Sequence, residues 1–302
     1  MGTRGAGTPV TVVVPTYRRP ASLARTLTGR AAQSGPYEVV VVDNDSAPHE
    51  PLRLPPGMPG RVVCEPTPGA AAARNRGLAE TRTSLLAMLD DDVVPERGWL
   101  ASLAAPVLAG EADLTGGRVV LDPDVPRPGW LAPALEGYLT ALDLGPVPRP
   151  LDPREFLLTA SLLTRTDLLR RTGGFALDLG PRPGHQLVGD DVQVVRDLRA
   201  AGARAHWVPG AVVVHELPAS RLRPSWLLRR AWLQGRSDWR MDRAELAARR
   251  LGGARVAGAW LAGELRARRR ERPDRRMAFH AACDLARTGG ALVEAASWRG
   301  RA

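Results

Sequence analysis

Short apolar runs alternate with helix-like segments along the first two thirds of the chain. Val10 to Val14 and Tyr37 to Val42 are nearly continuous apolar runs with the length of buried strands. Between them, Leu23 and Leu27 lie four positions apart in the segment Pro20 to Ala32, as on one face of a helix. The same criteria predict strands at 61–65, 85–89, 113–121, 155–163 and 211–214, and helices at 70–80, 95–108 and 192–201. This alternation predicts an α/β fold with a mainly parallel sheet.

The other stretches of the chain are less regular. Residues 122–154 are rich in Pro and Gly and predict a long irregular insertion, where substrate-contacting loops often occur. From Pro224 onward the pattern predicts helices that are broken at Gly252-Gly253 and at Pro273. At 302 residues the chain is long enough for one large core with an appendage. We therefore predict an α/β domain at 1–220 and an Arg-rich helical region at 221–302.

Charge is distributed unevenly between these regions. Residues 218–302 hold 20 of the 42 basic residues and 8 of the 32 acidic ones, so they carry +12, whereas the remainder carries −2. Every basic residue is Arg, which together with abundant Ala, Gly and Pro indicates a GC-rich genome more than a demand for guanidinium groups.

Cysteine usage and apolar runs bear on the compartment. Cys64 and Cys283 have neither metal-ligand nor redox spacing, which predicts a reduced, cytoplasmic chain. The apolar run that ends before Pro15 lacks the long core and cleavage site of a signal peptide. No stretch reaches ~18 uninterrupted apolar residues, so we predict no transmembrane helix and expect a chain that is free in the cytoplasm or peripheral on the inner face of the membrane.

Carboxylates follow two of the predicted strands. Asp90, Asp91 and Asp92 come directly after the apolar run 85–89. Asp43 comes directly after the predicted strand 37–42 and before Asn44. Because ligands bind at the carboxyl ends of parallel strands, these side chains favour a hard divalent cation, which most often comes with a phosphate. A solvated acidic loop, or an acidic helix start before Pro95, is the alternative.

Several separated segments resemble the family 2 glycosyltransferases, the inverting group with the Rossmann-like GT-A fold. The segments are VVVPTYRRP at 12–20, VVVVDNDS at 39–46, PGAAAARNRGL at 68–78, LAMLDDDVVPERGWL at 86–100, TRTDLLRRTGGF at 164–175, GDDVQVVRDLRAAG at 189–202 and VPGAVVVHE at 208–216. Each is weak alone, but together they are ordered and span most of residues 10–216. The resemblance implies a mixed, mainly parallel sheet flanked by helices, with a helical appendage at the C-terminus.

The resemblance also implies a nucleotide-sugar site. It assigns contacts with the nucleotide-sugar to Pro15, Thr16, Tyr17, Asp43, Arg74, Asp90 and Asp91. Asp43 matches the carboxylate that accepts a hydrogen bond from a uracil-type imide, and Arg74 matches an Arg that steadies the nucleotide. Taken alone, Arg74 fits a helix-surface Arg better than a nucleotide ligand.

Metal and catalytic roles follow from the same resemblance. Asp90 and Asp92 match the DxD positions that hold Mn²⁺ or Mg²⁺, and His215 is a further metal-ligand candidate that would favour Mn²⁺. Asp191 is the candidate general base beside Asp190, where the family usually has Glu. A capping pair at a helix start is the alternative for these two residues. The chain also has Ser161 near a position where the family commonly has Asn.

The C-terminal region keeps several interpretations open. Arg230, Gln234 and Ser237 are candidates to border the acceptor site. Seven arginines, at 266, 268, 269, 270, 272, 275 and 276, favour a solvated or packing helix face, contact with an anionic membrane surface, or nucleic-acid binding. No nucleic-acid motif accompanies them, so we expect no nucleic-acid partner.

The sequence thus predicts a metal-dependent inverting glycosyltransferase. It would move a sugar from a nucleotide donor, UDP-linked by preference, to a hydroxyl or amine of a small-molecule, lipid-linked or peptide acceptor in bacterial glycan or natural-product biosynthesis. A non-catalytic binding protein of the same fold is one alternative. A sugar nucleotidyltransferase is the other, although the Gly-rich phosphate loop expected of it is absent from 12–20.

Overall fold

The computed structural model describes residues 10–29, 33–45, 51–248 and 275–298. They belong to two compact units. The first comprises the described residues of Met1–Pro123, Thr140–His185 and Asp190–Glu216, and the second those of Asp124–Leu139, Gln186–Gly189 and Leu217–Ala302.

The first unit is built on one nine-stranded sheet. Its strands are β1 (Val10–Thr16), β2 (Tyr37–Asp43), β3 (Gly60–Cys64), β4 (Leu85–Met88), β5 (Val93–Pro95), β6 (Leu114–Leu121), β7 (Arg149–Pro150), β8 (Leu162–Arg165) and β11 (Ala205–His215). Two short strands, β9 (Pro181–Arg182) and β10 (His185–Gln186), pair separately. The order is β3-β2-β1-β4-β8-β6-β11-β5, and β7 pairs with β11.

Most of the sheet runs in one direction. The pairs β3–β2, β2–β1, β1–β4 and β6–β11 are parallel, whereas β8, β5 and β7 pair antiparallel with their neighbours. The central strands are buried along almost their whole length, as expected of strands that are covered on both faces. The predicted mixed, mainly parallel α/β sheet is therefore confirmed.

Helices cover this sheet. They are α1 (Pro20–Thr28), α2 (Ala70–Glu80), α3 (Trp99–Leu108), α4 (Thr166–Arg171) and α5 (Asp190–Ala200). On α2, a Cβ at Gly77 would lie 2.2 Å from Cγ1 of Val13, so only glycine lets this helix approach β1 so closely. That approach sets the distance of Arg74, one turn earlier on α2, from the end of the sheet.

Three predicted elements differ from the structure. Pro95 does not start a helix but ends β5, an edge strand where the missing N–H of proline is tolerated, and α3 begins only after Gly98. Of the strand predicted at 155–163, only Leu162 and Leu163 lie in a strand, β8, and Thr159–Ser161 form a 3₁₀ turn before it. The last strand begins at Ala205, because Pro209-Gly210 lies in a bulge within β11.

The second unit is helical. It contains 3₁₀ helices at Pro133–Leu139 and Ala219–Leu222 and the helices α6 (Pro224–Ala248) and α7 (Arg275–Trp298). A Cβ at Gly235 would lie 1.7 Å from the carbonyl oxygen of Arg287, so α6 and α7 pack with their backbones close together. The buried carboxylate of Glu294 accepts hydrogen bonds from Arg236 and Arg240 across that contact.

Two further observations concern this unit. Arg266 to Arg272 lie outside the described residues, so the predictions for that Arg run stay predictions. Among the described helices, none combines the length and the apolar character that a membrane crossing requires.

Candidate active site

The site forms where β1, β2 and β4 end together. Thr16 at the end of β1 is in register with Asp43 at the end of β2, and the amide of Leu89 donates to the carbonyl of Val13 at 3.1 Å. The chain therefore carries Asp90, Asp91 and Asp92 past the end of β1, at the same edge of the sheet. The residues predicted to bind the nucleotide-sugar or metal, or to catalyse transfer, all belong to the first unit, whereas the acceptor-site candidates Arg230, Gln234 and Ser237 belong to the second.

Arg74 links two of the predicted carboxylates. Its guanidinium donates to Asp90 at 2.9 Å and to Asp190 at the start of α5, and both Arg74 and Asp190 are buried. Burial alone would lower the pKa of Arg74, but the charges of Asp190 and Asp90 raise it overall, so the side chain stays a cation. Arg74 thus holds the end of β4 and the start of α5 together.

Asp191 has a different environment from Asp190. Its carboxylate accepts a hydrogen bond from the amide of Val192 at 2.8 Å, in the first turn of α5. Burial, and then the neighbouring charge of Asp190, raise the pKa of Asp191 to about 6. A carboxyl group with such a pKa is able to exchange a proton near neutral pH.

Asp91 is buried beneath the loop that follows β1. The hydroxyl of Thr16 donates to its carboxylate at 2.6 Å, and the hydroxyl of Thr26 on α1 donates to its carbonyl at 2.9 Å. Burial raises the pKa of Asp91 to about 6, although Thr16 and Arg19 favour the charged form. The Thr16 hydroxyl, predicted to contact the nucleotide-sugar, is therefore engaged within the protein.

Asp92 meets His215 because β5 pairs antiparallel with β11. Val93 is in register with His215, and the amide of Glu216 donates to the carbonyl of Asp92 at 2.9 Å. As a result, Nε2 of His215 lies 3.4 Å from Oδ1 of Asp92, and both residues are buried. Glu216 in turn binds Ser22 and Arg25 of α1, which fixes this strand end against the helix.

Arg19 is the second cation of the site. Its Nη1 donates to Oδ2 of Asp92 at 2.8 Å and to Oδ1 of Asp91 at 3.2 Å. Arg19 lies directly before Pro20, the first residue of α1, and about half of its side chain is exposed. Sequence reasoning missed this residue, although VVVPTYRRP contains it and a cation is expected where three carboxylates adjoin.

The residue types at the site suit a divalent cation, but their side chains are not yet grouped around one position. Within the described ranges, no three His, Cys, Asp or Glu side chains group closely enough to hold a metal, since Asp90 faces Arg74 whereas Asp92 faces Arg19 and His215. Even with both guanidinium groups in contact, the pKa values of Asp91 and Asp191 stay raised. Burial is the main cause of both shifts. In formal charge, the five carboxylates at 90–92, 190 and 191 outnumber the guanidinium groups of Arg19 and Arg74, and the oxygen and imidazole donors of Asp92 and His215 already face each other.

The predicted nucleobase loop lies beside this cluster. Tyr17 is exposed, and the guanidinium of Arg18 lies 5.2 Å from the centroid of its ring. Pro15 is partly buried in β1, and Oδ1 of the buried Asp43 accepts a hydrogen bond from the amide of Asp45 at 3.1 Å. Pro15, Tyr17 and Asp43 therefore border the cluster from the ends of β1 and β2.

A further residue, Asn44, was also missed from sequence. Its side-chain amide donates to the carbonyls of Glu65 and Thr67, and its oxygen accepts from the amide of Gly69, the residue before α2. This network fixes the start of α2 beside the end of β2. The pattern Asp-Asn-Asp after a strand draws attention to this position. The neighbouring sequence gives no sign that the Asn44 side chain bonds to residues more than twenty positions away.

Comparison with known proteins identifies the family. Residues 11–166 match the family model "Glycosyl transferase family 2", which covers more than half of the chain. The chain belongs to glycosyl transferase family 2. The resemblance seen in the sequence segments is thereby confirmed.

Curated relatives of this family 2 chain include two named glycosyltransferases. The pre-mycofactocin glycosyltransferase of Mycobacterium tuberculosis is 32% identical over 234 residues, which are 75% of this chain and 46% of that protein. The chain therefore spans less than half of that relative's length. Glycosyltransferase AglE of Haloferax volcanii is 25% identical over 256 residues, 78% of this chain and 76% of that protein.

Solved structures share the fold of the family 2 chain. The mannosyltransferase PcManGT of Pyrobaculum calidifontis, solved with GDP-Man and Mn²⁺, aligns with a TM-score of 0.55 at 20% identity, over 97% of this chain and 75% of that one. GalNAc-T7, solved with UDP, GalNAc and Mn²⁺, aligns with a TM-score of 0.52 at 17% identity, over 75% of this chain and 47% of that one. The predicted GT-A fold is thereby confirmed.

Ser161, near a position where the family commonly has Asn, and the acceptor-site candidate Ser237 both have structural roles in this chain. Ser161 is fully buried, and its hydroxyl accepts a hydrogen bond from the indole of Trp99 at 2.9 Å. In the second unit, the Ser237 hydroxyl accepts from the amide of Val188 and donates to the carbonyl of Leu233. Both hydroxyl groups are therefore engaged in holding neighbouring segments together.

Proposed function

We propose that this chain is an inverting glycosyltransferase that moves a sugar from a nucleotide donor, preferably UDP-linked, to an acceptor hydroxyl or amine. One observation carries the proposal: charged and metal-binding side chains meet at one edge of the sheet. They are Asp43, Arg74, the carboxylates 90–92, the pair 190–191 and His215. Family membership supports the same reading.

The general base in this proposal is Asp191. The carboxylate removes the proton of the acceptor hydroxyl while that oxygen attacks the anomeric carbon opposite the leaving diphosphate. The raised pKa of Asp191 supports this role, because a base whose pKa lies near the working pH exchanges protons efficiently. Asp190, which is ion-paired with Arg74, holds the start of α5 in place.

The metal site in this proposal consists of Asp90, Asp92 and His215. A bound Mn²⁺ or Mg²⁺ would supply positive charge next to the leaving diphosphate. His215 favours Mn²⁺, because imidazole nitrogen suits a transition metal better than Mg²⁺. The solved GT-A structures that contain Mn²⁺ support the metal by analogy of fold.

Donor recognition is assigned to the loop after β1 and to the end of β2. Asp43 accepts the imide N–H of a uracil ring, and Pro15, Thr16 and Tyr17 line the position of the base. The proposed acceptor is a small molecule, a lipid-linked glycan or a peptide. The proposed location is the cytoplasm, where the Arg-rich C-terminal residues contact the inner face of the membrane.

Donor hydrolysis tests the proposal directly. We expect sugar release from a UDP-sugar in the presence of Mn²⁺, tested beside GDP- and dTDP-sugars, and a loss of at least about 100-fold in Asp92→Asn. Asp113→Asn is the matched control, because Asp113 pairs with Arg204 at the amino end of β6, outside the site. Turnover that needs no metal, or an unaffected Asp92→Asn variant, would contradict the site assignment.

A further inference from the structure

Arg19 occupies Asp92, which the proposed function assigns to metal, together with the neighbouring Asp91. One nitrogen, Nη1, contacts both Asp91 and Asp92, and His215 contacts the other oxygen of Asp92. The side chains of Asp91 and Asp92 are 8% and 12% exposed, so leaving them charged without a cation would be costly. The single positive charge of Arg19 balances part of this negative charge.

The two arginines of the site differ in how readily they can leave it. The side chain of Arg74 is 8% exposed, and it is held by Asp90 and Asp190 on opposite elements. The side chain of Arg19 is 47% exposed, so its guanidinium can be rehydrated by a change of rotamer. The backbone need not move, because the carbonyl of Arg19 already accepts the first helical hydrogen bond of α1, from the amide of Leu23.

We propose that Arg19 is an internal counter-cation that a divalent ion must displace from Asp92, so that Arg19 sets the affinity of the site for metal. The inference rests on the proposed function, which assigns Asp92 as a metal ligand. A divalent ion offers twice the charge of a guanidinium in a smaller volume and prefers carboxylate oxygen. It therefore competes with Arg19 for Asp92, whereas buried Arg74 keeps its place at Asp190.

Direct metal binding tests the inference without requiring activity. We expect Arg19→Gln to bind Mn²⁺ alone about tenfold more tightly than the wild-type chain in calorimetric titration, because no internal cation competes for Asp92. Arg18→Gln is the matched control. Arg18 is the neighbouring residue and is paired with Asp45 instead, so its loss should change the Mn²⁺ dissociation constant by no more than about twofold.

Two more variants separate charge from shape. Arg19→Lys keeps a cation on the same loop and should stay within about twofold of the wild-type dissociation constant. If Arg19→Gln does not fold, Arg19→Met carries the same test, because it retains an aliphatic stem without the charge.

The outcomes distinguish the inference from the proposed function. If Asp92→Asn abolishes Mn²⁺ binding but Arg19→Gln binds with the wild-type constant, the inference is wrong and the metal site stands. If neither the wild-type chain nor Arg19→Gln binds Mn²⁺, the inference is wrong together with the metal part of the proposed function. Tighter binding in both Arg18→Gln and Arg19→Gln would reveal general electrostatic attraction and would also overturn the inference.

Discussion

Two adjacent aspartates illustrate how single residues acquire different roles. The side chain of Asp190 is buried against Arg74, whereas Asp191 accepts a hydrogen bond from the amide of Val192 and has a raised pKa. Neighbouring carboxyl groups in unlike environments are a common basis for acid–base catalysis. In the proposed mechanism, Asp190 holds the start of α5 in place and Asp191 accepts the proton.

Replacement of Asp191 by Asn should abolish most of the transfer. We expect kcat to fall by about 100- to 10,000-fold, because the base is lost while the shape is kept. Asp197→Asn, on the same helix, should leave kcat unchanged, because the carboxylate of Asp197 accepts its hydrogen bond from the nearby Gln193, away from the site. Equal losses in the two variants would indicate damage to α5 instead.

The pH profile of the wild-type enzyme follows from the same residue. A general base must be deprotonated, so kcat/KM should fall as the pH decreases through about 6, the raised pKa of Asp191, and level off above it. An acidic limb centred near pH 4 would show that the titrating base is an unperturbed carboxylate.

Arg74 should matter for stability more than any surface arginine of its helix. Arg74→Met leaves Asp90 and Asp190 without their shared cation, and we expect a loss of about 3–5 kcal/mol in the free energy of unfolding. Arg76→Met on the same helix removes a partly exposed i,i+4 pair with Glu80 and should cost no more than about 0.5 kcal/mol. Urea unfolding of the two variants measures both values, and similar losses would refute the assigned difference.

At the scale of elements, the helix α2 is placed by contact instead of by capping. Gly69 before it has φ +135 and makes no side-chain cap, whereas Asn44 and the close approach of Gly77 to Val13 position the helix. Since Arg74 lies one turn before Gly77, the packing of this one position decides whether Arg74 reaches both Asp90 and Asp190.

Gly77→Ala therefore tests whether packing positions the site. The added Cβ would lie 2.2 Å from Val13, so we expect a loss of about 1–3 kcal/mol in stability together with reduced activity. Val13→Ala should restore part of both in the double variant. Gly137→Ala, where a Cβ meets no atom within 4 Å, should be neutral in urea unfolding.

Elements whose physics is local were predictable from the sequence. The helix Ala70–Glu80 has the predicted bounds, and β1 and β2 differ from prediction by one or two residues, because apolar runs and turn residues mark them. Pro95 predicts a first helical turn, whereas it ends the short strand β5. The sequence around β5 does not indicate this strand, because β5 forms by pairing with β11, a distant segment. The first half of β11 was not predicted, because Pro209-Gly210 interrupts the apolar run and only pairing with the distant strand β6 makes these residues a strand.

The site shows the same limit. The residue types of the strand ends predicted Asp43 and the carboxylates 90–92 as neighbours, and the structure brings them to one edge. Which cation faces which carboxylate was not predictable, because the contacts of Arg19 and Arg74 join segments far apart in the chain.

On the scale of the whole molecule, positive charge concentrates in the C-terminal residues, since 218–302 carry +12. The chain carries +10 overall, and α7 exposes Leu285, Leu292 and Val293. We expect the protein to float with vesicles that contain anionic lipid and to be released by high salt, which screens the attraction. Replacing Arg268, Arg269 and Arg270 by Gln should weaken this binding. Equal flotation with neutral vesicles, or none with anionic ones, would contradict membrane contact.

The pairing of β5 with β11 also determines when the site can exist during synthesis. Asp92 leaves the ribosome long before His215, since β11 is the last strand of the sheet in chain order. A nascent chain that has not yet completed β11 exposes the edge of β6 that β11 later covers, and such an open edge is prone to pair with other chains. Premature termination before Ala205 should therefore yield aggregating fragments instead of a partly active enzyme.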